Sequence, residues 1–242
     1  MANTMEIMAS DLSALTNQYR SIAQNLANAN TVGYKKRVSQ FQQTLDNIAN
    51  PDEGGVGRTL TGKIAMDFTQ GSFAATGRKL DVAISGPGFF QMDTADGASY
   101  TRNGTFQLNK DGQLVDTLGR TVAGDSGPIT IPRDVNISDI VIGQDGSISA
   151  PGQNLGKLKI VEFKDTSQLR PVGFGGFKAP DNVKPTPAAE TTVQQGYHEQ
   201  SNVSPVEELV GLIRVSRLYE AGVKSISSHD KRLESLMRVV MK

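Results

Sequence analysis

Apolar residues recur at alternating steps of three and four through the first thirty positions, at Met5, Met8, Leu12, Leu15, Tyr19, Ile22, Leu26 and Ala29. That spacing is the heptad signature of one helix face. Between them Asn17, Gln18, Arg20, Gln24 and Asn25 make the opposite face polar but barely charged, so the helix needs a partner for its stripe. The alternation returns at the far end through Leu209, Leu212, Ser216, Tyr219, Val223, Ile226, Asp230, Leu233, Met237 and Val240, apolar or aromatic except at Ser216 and Asp230. Ser204 as N-cap, Pro205 at the first helical position and Glu207 and Glu208 at the positive end of the dipole mark where this second helix starts. Neither stripe is buried by its own helix. The pattern predicts that the two pair with each other or stack on copies in neighbouring subunits.

Between the helices the period changes to two, as in "KLDVAISGPGFFQM", "SYTRNGTFQLNKDGQLVD", "GPITIP" and "GKLKIVEFKD". Asn103-Gly104, Asp111-Gly112 and Asp145-Gly146 fall between alternating segments and predict tight hairpin turns, hence a mostly antiparallel β-domain, a sandwich or partly open barrel. "SGPGFF" at 85–90 reads as a strand-end turn, because it lacks the Lys-Ser/Thr pair of a phosphate loop. Residues 47–60 and 178–195, rich in Gly, Pro, Asn, Thr and Ala, read as connectors that hold no core.

One stretch belongs to neither pattern. "NLANANTVGYKKR", Asn25–Arg37, begins as helix and ends as something a helix excludes. Asn28 and Asn30 tolerate left-handed or turn conformations and Gly33 permits positive φ, so the stretch is expected to stop the first helix and redirect the chain. It is read as a hinge.

Composition removes whole classes of chemistry. With no cysteine among 242 residues there are no disulfides, thiolate metal sites or cysteine nucleophiles. Lys+Arg 25 against Asp+Glu 25 leaves a formal net charge of +0, so no global field recruits nucleic acid or an anionic membrane. Hydrophobic content of 37%, no Trp and 25 Gly describe a lean interior with many turns. No basic leader, continuous apolar run or small-residue cleavage site precedes Tyr19, so neither signal-peptide export nor a membrane span is expected.

No enzymatic constellation emerges. His198 and His229 lack metal-ligand spacing and read as surface or interface residues. Glu162, Asp165 and Asp125 show no acid/base spacing, and no G-x-S-x-G elbow is present. "YKKR" at 34–37 reads as a solvated or interface patch, and Tyr19 and Tyr219 as packing residues with their hydroxyls at a polar rim. No cofactor or metal site is expected. A rival class, a monomeric periplasmic binding module or polysaccharide-processing enzyme, would want clustered carboxylates or an aromatic platform in the β-domain.

"NLANANTVGYKK" resembles the N-terminal motif of the axial proteins of the bacterial flagellum, matching at Asn25, Leu26, Ala27, Asn28, Thr31, Gly33, Tyr34 and Lys35; Val32 stands where proline is common. "QGSFAATGRKLDVAISGPGFFQM" and "EQSNVSPVEELVGLIRVSRLYEAGVKSI" are similar to the glycine-aromatic segment and C-terminal helix of the rod proteins. The segment from Tyr100 to Pro132 looks most like the proximal-rod branch. The distal-rod branch is the close alternative, but it usually has a longer insertion than this chain offers between Gln40 and Gln70.

The resemblance implies a structural subunit of the basal-body rod, the periplasmic drive shaft that carries torque from motor to hook. It implies export without a cleavable signal through the flagellar type III apparatus. The implied partners are copies of itself, other rod proteins and the surrounding rings; nucleic acid and membrane insertion are not implied. The expected architecture is α+β: N- and C-terminal heptad helices packed together as an α-helical coiled-coil domain, with a central, mostly antiparallel β-domain. The expected divisions are 1–34, an extended or hairpin connector at 35–75, the β-domain at 76–195 and the C-terminal helix at 196–242. The expected assembly seam is Met5, Met8, Leu12, Leu15, Tyr19, Ile22, Leu26, Leu209, Leu212, Tyr219, Val223, Ile226, Leu233, Met237 and Val240. The expected hinge is Asn25, Asn28, Thr31, Gly33, Tyr34 and Lys35.

Overall fold

A computed structural model describes residues 2–46, 57–188 and 190–240, with side chains for 8–39, 64–188, 190–228 and 231. Most of the expected 47–60 connector lies outside the described residues. The fold is α+β and divides into two compact units, one of Met1–Ala27, Arg37–Asp67 and Ser204–Lys242, the other of Asn28–Lys36 and Phe68–Val203.

The first unit holds helix α1 (Ala2–Ala27), helix α2 (Pro205–Val240) and most of a two-stranded sheet, β1 (Lys36–Asp46) and β2 (Gly57–Asp67). α2 starts where its signals place it, with Glu208 N donating to Ser204 O at 3.1 Å in the first turn. The helices run antiparallel. A Cβ built on Gly211 would stand 3.4 Å from Ile22 Cδ1, and one on Gly222 would stand 3.1 Å from Leu12 Cδ2, so one chain number rises as the other falls. α1 packs against β2 as well, and Ala14 and Ser21, small residues one heptad apart, are buried.

In the second unit every strand pairing among the described residues is antiparallel. The main sheet runs in the order Arg170–Pro171, Gly176–Lys178, Gly97–Thr101, Phe89–Thr94, Thr121–Gly124, Leu114–Asp116, Phe106–Leu108, and Ile160–Glu162 also pairs with Phe89 and Phe90. The period-two pattern divides the Phe89–Thr94 strand between two environments. Phe90 and Met92 enter the main core with Val82, Ile84, Phe106 and Leu114, while Phe89 meets Phe68, Phe163 and Phe177 edge to face at 5.5–6.0 Å.

Two expectations about this unit need correction. Asp111-Gly112 and Asp145-Gly146 do turn hairpins, but Asn103-Gly104 does not. The strands on either side of it, Gly97–Thr101 and Phe106–Leu108, do not pair with each other. The reason is a competing contact: Gly104 O accepts from Val82 N at 2.9 Å, and a Cβ on Gly104 would overlap Val82 O. The stretch 178–195 is more than a connector. Thr192–Gln195 pairs along the whole of Val82–Ser85, which puts Val193 in the main core; a short strand with one inward side chain is easily hidden in a Pro- and Thr-rich run.

Candidate assembly interface

Helix α2 meets α1 along Glu208, Gly211, Val215 and Gly222. This row has heptad spacing but lies one residue before Leu209, Leu212, Ser216 and Val223. A reading by apolarity passes over glycine and glutamate. In the fold those residues suit the helix contact: Gly222 leaves room for Leu12, whose Cδ2 would stand 3.1 Å from a Cβ there, and Glu208 has a polar partner on the other helix.

That partner is Asn25. Its Nδ2 donates to Glu208 Oε2 at 3.2 Å and to Arg37 O at 2.9 Å, while its Oδ1 accepts from Arg37 N at 2.8 Å. One buried amide thereby joins α1, the start of β1 and α2, and the first-unit end of the "NLANAN…" stretch is tied in place. Arg37 Nη1 donates to Gln24 Oε1 at 2.6 Å beside it.

Of the expected seam, Ile22 is buried, and Met8, Leu12, Leu15, Leu26, Leu212 and Ile226 are partly so. Tyr19, Leu209, Tyr219 and Val223 are exposed in the single chain. Met5, Leu233, Met237 and Val240 lie outside the residues whose side chains are described. α2 also exposes Val206, Val210, Ile213 and Leu218, which the seam does not contain. Among the described residues no helix is long and apolar enough to cross a membrane.

The rest of the expected hinge belongs to the second unit. Thr31 N donates to Asn28 O at 3.0 Å and Tyr34 N to Thr31 O at 3.2 Å, a pair of successive turns. Neither asparagine is left-handed, since Phe174 is the only non-glycine residue of positive φ among the described residues. Gly33 carries the reversal by itself at φ 69°, and its N donates to Glu199 O at 2.8 Å. A Cβ there would lie 2.5 Å from Asn103 N, so space as well as φ demands glycine.

Lys35 overturns the expectation of a solvated or interface patch. Its side chain is 0% exposed, with Nζ 2.7 Å from both Glu199 Oε1 and Thr69 O. Glu199 Oε1 also accepts from Gly71 N at 2.8 Å, and Arg102 Nη1 stands 3.5 Å from Glu199 Oε2, close enough for ion pairing but not for a hydrogen bond. Arg102 lies over the Phe89 ring at 4.9 Å; burial pulls its guanidinium below the ordinary value, against the opposing pull of Glu199 and Glu162. The physical reason for the correction is that a lysine can enter the interior when a carboxylate is already fixed there by a backbone amide and a second cation.

Three stretches meet in this cluster. Lys36 N donates to Asn202 Oδ1 at 2.7 Å, Asn202 Nδ2 donates to Thr69 O at 3.1 Å, and Gln200 N donates to Ser72 O at 2.8 Å. The segments "TVGYKK", "TQGS" and "EQSN" are thus one spatial motif. Arg102 and Glu199 were not singled out from the sequence, and the Lys35–Glu199 separation of 164 residues leaves no local signal that could have found them.

Comparison with known proteins follows these segments. The family described as "Flagellar hook protein FlgE/F/G D1 domain" matches residues 83–150, and that described as "Flagellar basal body rod FlgEFG protein C-terminal" matches 194–239. The chain is 32% identical over 239 residues to the flagellar basal-body rod protein FlgF of Caulobacter vibrioides, covering 94% of each chain. It is 35% identical over 254 residues to the rod protein FlgG of Agrobacterium fabrum, covering 94% of this chain and 95% of the other. With the FlgF of Mesorhizobium japonicum the identity is 30% over 241 residues and 98% of both chains.

Proposed function

This chain belongs to the flagellar basal-body rod protein family, FlgF or FlgG, and on that premise we propose that it forms the motor-proximal part of the rod, assembling through its two terminal helices. It is a structural subunit of the flagellar basal body, and its partners are other rod proteins.

The observation that carries the proposal is the apolar surface left on α2, where Leu209, Val210, Ile213, Leu218, Tyr219 and Val223 are all exposed. Apolar side chains exposed in this number along one helix mark a protein interface. Filled by neighbouring copies, the expected seam becomes a coiled coil of terminal helices, residues 1–34 and 196–242, with 35–75 as connector and 76–195 as the β-domain that meets other subunits and the rings. Many small interlocked contacts share a torsional load and yield little to shear. The chain's work is mechanical. Asn25, Asn28, Thr31, Gly33, Tyr34 and Lys35 set the path the chain takes at the end of α1, and passage through the type III export apparatus without cleavage delivers it to the periplasm.

The branch is tested by labelling. A tag inserted at the exposed Asp134 turn should appear, in electron micrographs of isolated basal bodies, on the half of the rod nearest the motor. Label on the outer half would assign the chain to the distal rod, and basal bodies without label would overturn the proposal.

A further inference from the structure

One aromatic side chain of the β-domain is displayed to solvent. Phe174 is 81% exposed at the tip of the hairpin that joins Arg170–Pro171 to Gly176–Lys178, with exposed Val172 beside it. It holds φ 46°, a left-handed conformation that strains a bulky residue and that its neighbours Gly173 and Gly175 adopt freely. The tip is fixed all the same. Val172 N donates to Gly176 O at 2.9 Å, Gly176 N to Gly173 O at 2.8 Å, and Thr101 Oγ1 to Gly175 O at 3.0 Å. A tied turn that bears strain in order to present a ring has its contact outside its own chain.

This hairpin stands at one end of the main sheet's strand order, and Phe106–Leu108 stands at the other. Beside that far strand is a cavity of ≈ 340 Å³, room for a phenyl ring, walled by Leu80, Leu108 and Ile137 and edged by Arg78, Lys79 and Gln107. Arg78 is engaged with Asp81 at 3.2 Å, whereas exposed Lys79 forms no ion pair with a described residue. Asp139, two residues after Ile137, is exposed and forms none either. On the hairpin, residues 171–177 are uncharged, and exposed Arg170 just before them is also without an ion pair among the described residues.

We infer that the Phe174 tip of one copy enters the Leu80–Leu108–Ile137 cavity of a second copy of this chain, with the ring against Lys79 and Arg170 within reach of Asp139. This rests on the rod reading above and adds to it a contact between β-domains in which the helices take no part. Cavity size and charge select the occupant. Tip against tip would set two copies of Arg170 together and leave both rings outside a cavity; cavity against cavity would set Lys79 near its own copy and leave the strained ring in water. Tip in cavity joins Arg170 to an acid and lays the electron-rich face of the ring on a cation. The contact is heterologous, so each copy keeps a tip or a cavity free for the next and the contact propagates.

Cysteine cross-linking reads this directly because the chain has no cysteine of its own. Val172→Cys is combined with Gln107→Cys or, separately, with Ile137→Cys, all three at exposed positions, as the cell's sole copy, and isolated basal bodies are treated with a short bismaleimide. At least one double variant should give covalent oligomers of this chain, while each single variant stays monomeric. Adding Phe174→Gly should lower the oligomer yield by at least about fivefold, yet the unfolding midpoint of purified Phe174→Gly chain should not fall, because glycine takes this φ without strain. Adding Arg170→Glu instead should lower the yield by about threefold, and Asp139→Arg on top of it should restore it. Dimers from Val172→Cys alone would show a two-fold contact and overturn the inference. So would monomers throughout in basal bodies that contain the variants, adducts with a different rod protein, a yield indifferent to Phe174→Gly, or a lowered midpoint, which would mean that the ring serves its own fold; in all these cases the rod reading stands. Absence of the wild-type chain from basal bodies would overturn both.

Discussion

Lys35 and Glu199 form an ion pair 2.7 Å long with both side chains wholly buried, although 164 residues separate them in the chain. The pair joins the motif that follows the first helix to the motif that precedes the second. Its environment is asymmetric: Glu199 serves Lys35, Arg102 and the Gly71 amide, whereas Lys35 has Thr69 O in addition to Glu199.

That asymmetry gives an ordering. Glu199→Gln leaves two buried cations without their carboxylate and should cost about 3–5 kcal/mol, the usual range for breaking one side of a buried ion pair. Lys35→Met leaves Glu199 with Arg102 and the Gly71 amide and should cost less. Denaturant unfolding of the purified variants measures both. Equal losses, or a larger one for Lys35→Met, would mean that Arg102 does not share the carboxylate.

Gly33 is constrained twice, by φ 69° and by the Asn103 amide in the place of a side chain. Even Gly33→Ala should therefore destabilise, by at least the roughly 1–3 kcal/mol of backbone strain. A shift of the unfolding midpoint with unchanged slope is the expected result. Wild-type stability in the alanine variant would show that the turn can relax away from Asn103.

The other two informative glycines lie in helices and have ordinary helical backbone. Gly211→Ala places a methyl group 3.4 Å from Ile22 Cδ1, an ordinary contact, and gains helix propensity, so it should stabilise by about 0.5–1 kcal/mol. Gly222→Leu has only 3.1 Å to Leu12 Cδ2 at its Cβ and should pry the helices apart, at a cost of about 1–3 kcal/mol. Thermal unfolding followed by helical circular dichroism reads both, and the opposite signs are the test.

Asn25 donates to Glu208 and bridges to Arg37 in both directions. Asn25→Asp replaces the donor with a second buried carboxylate and should destabilise more than Asn25→Ala does, which at about 1–3 kcal/mol loses the hydrogen bonds alone. Acid should narrow the gap, since two facing carboxylates relieve their repulsion by sharing a proton, and that proton binds more readily in the folded variant. Unfolding curves at neutral and mildly acidic pH decide it: a gap that widens on acidification would contradict the contact.

What the sequence determined by itself lies in its periods and in its punctuation. Two heptad stripes, a period-two centre, Pro205 after Ser204, and the Asp-Gly turns are local patterns, and local backbone preference is enough to realise each one. The resemblance of Asn25–Lys35 and of the C-terminal segment to flagellar axial proteins was also legible, because a motif survives as a string. Tertiary structure decided the remainder. Which row of α2 faces α1 depended on what the side chains of α1 fit against, and Leu12 fits over Gly222, a residue with no hydrophobic signal of its own. Whether Asn103-Gly104 closes a hairpin depended on Val82 arriving at the same carbonyl. The fate of Lys35 depended on a carboxylate supplied from the far end of the chain, because a charge enters the interior only where another part of the fold has already prepared its partner.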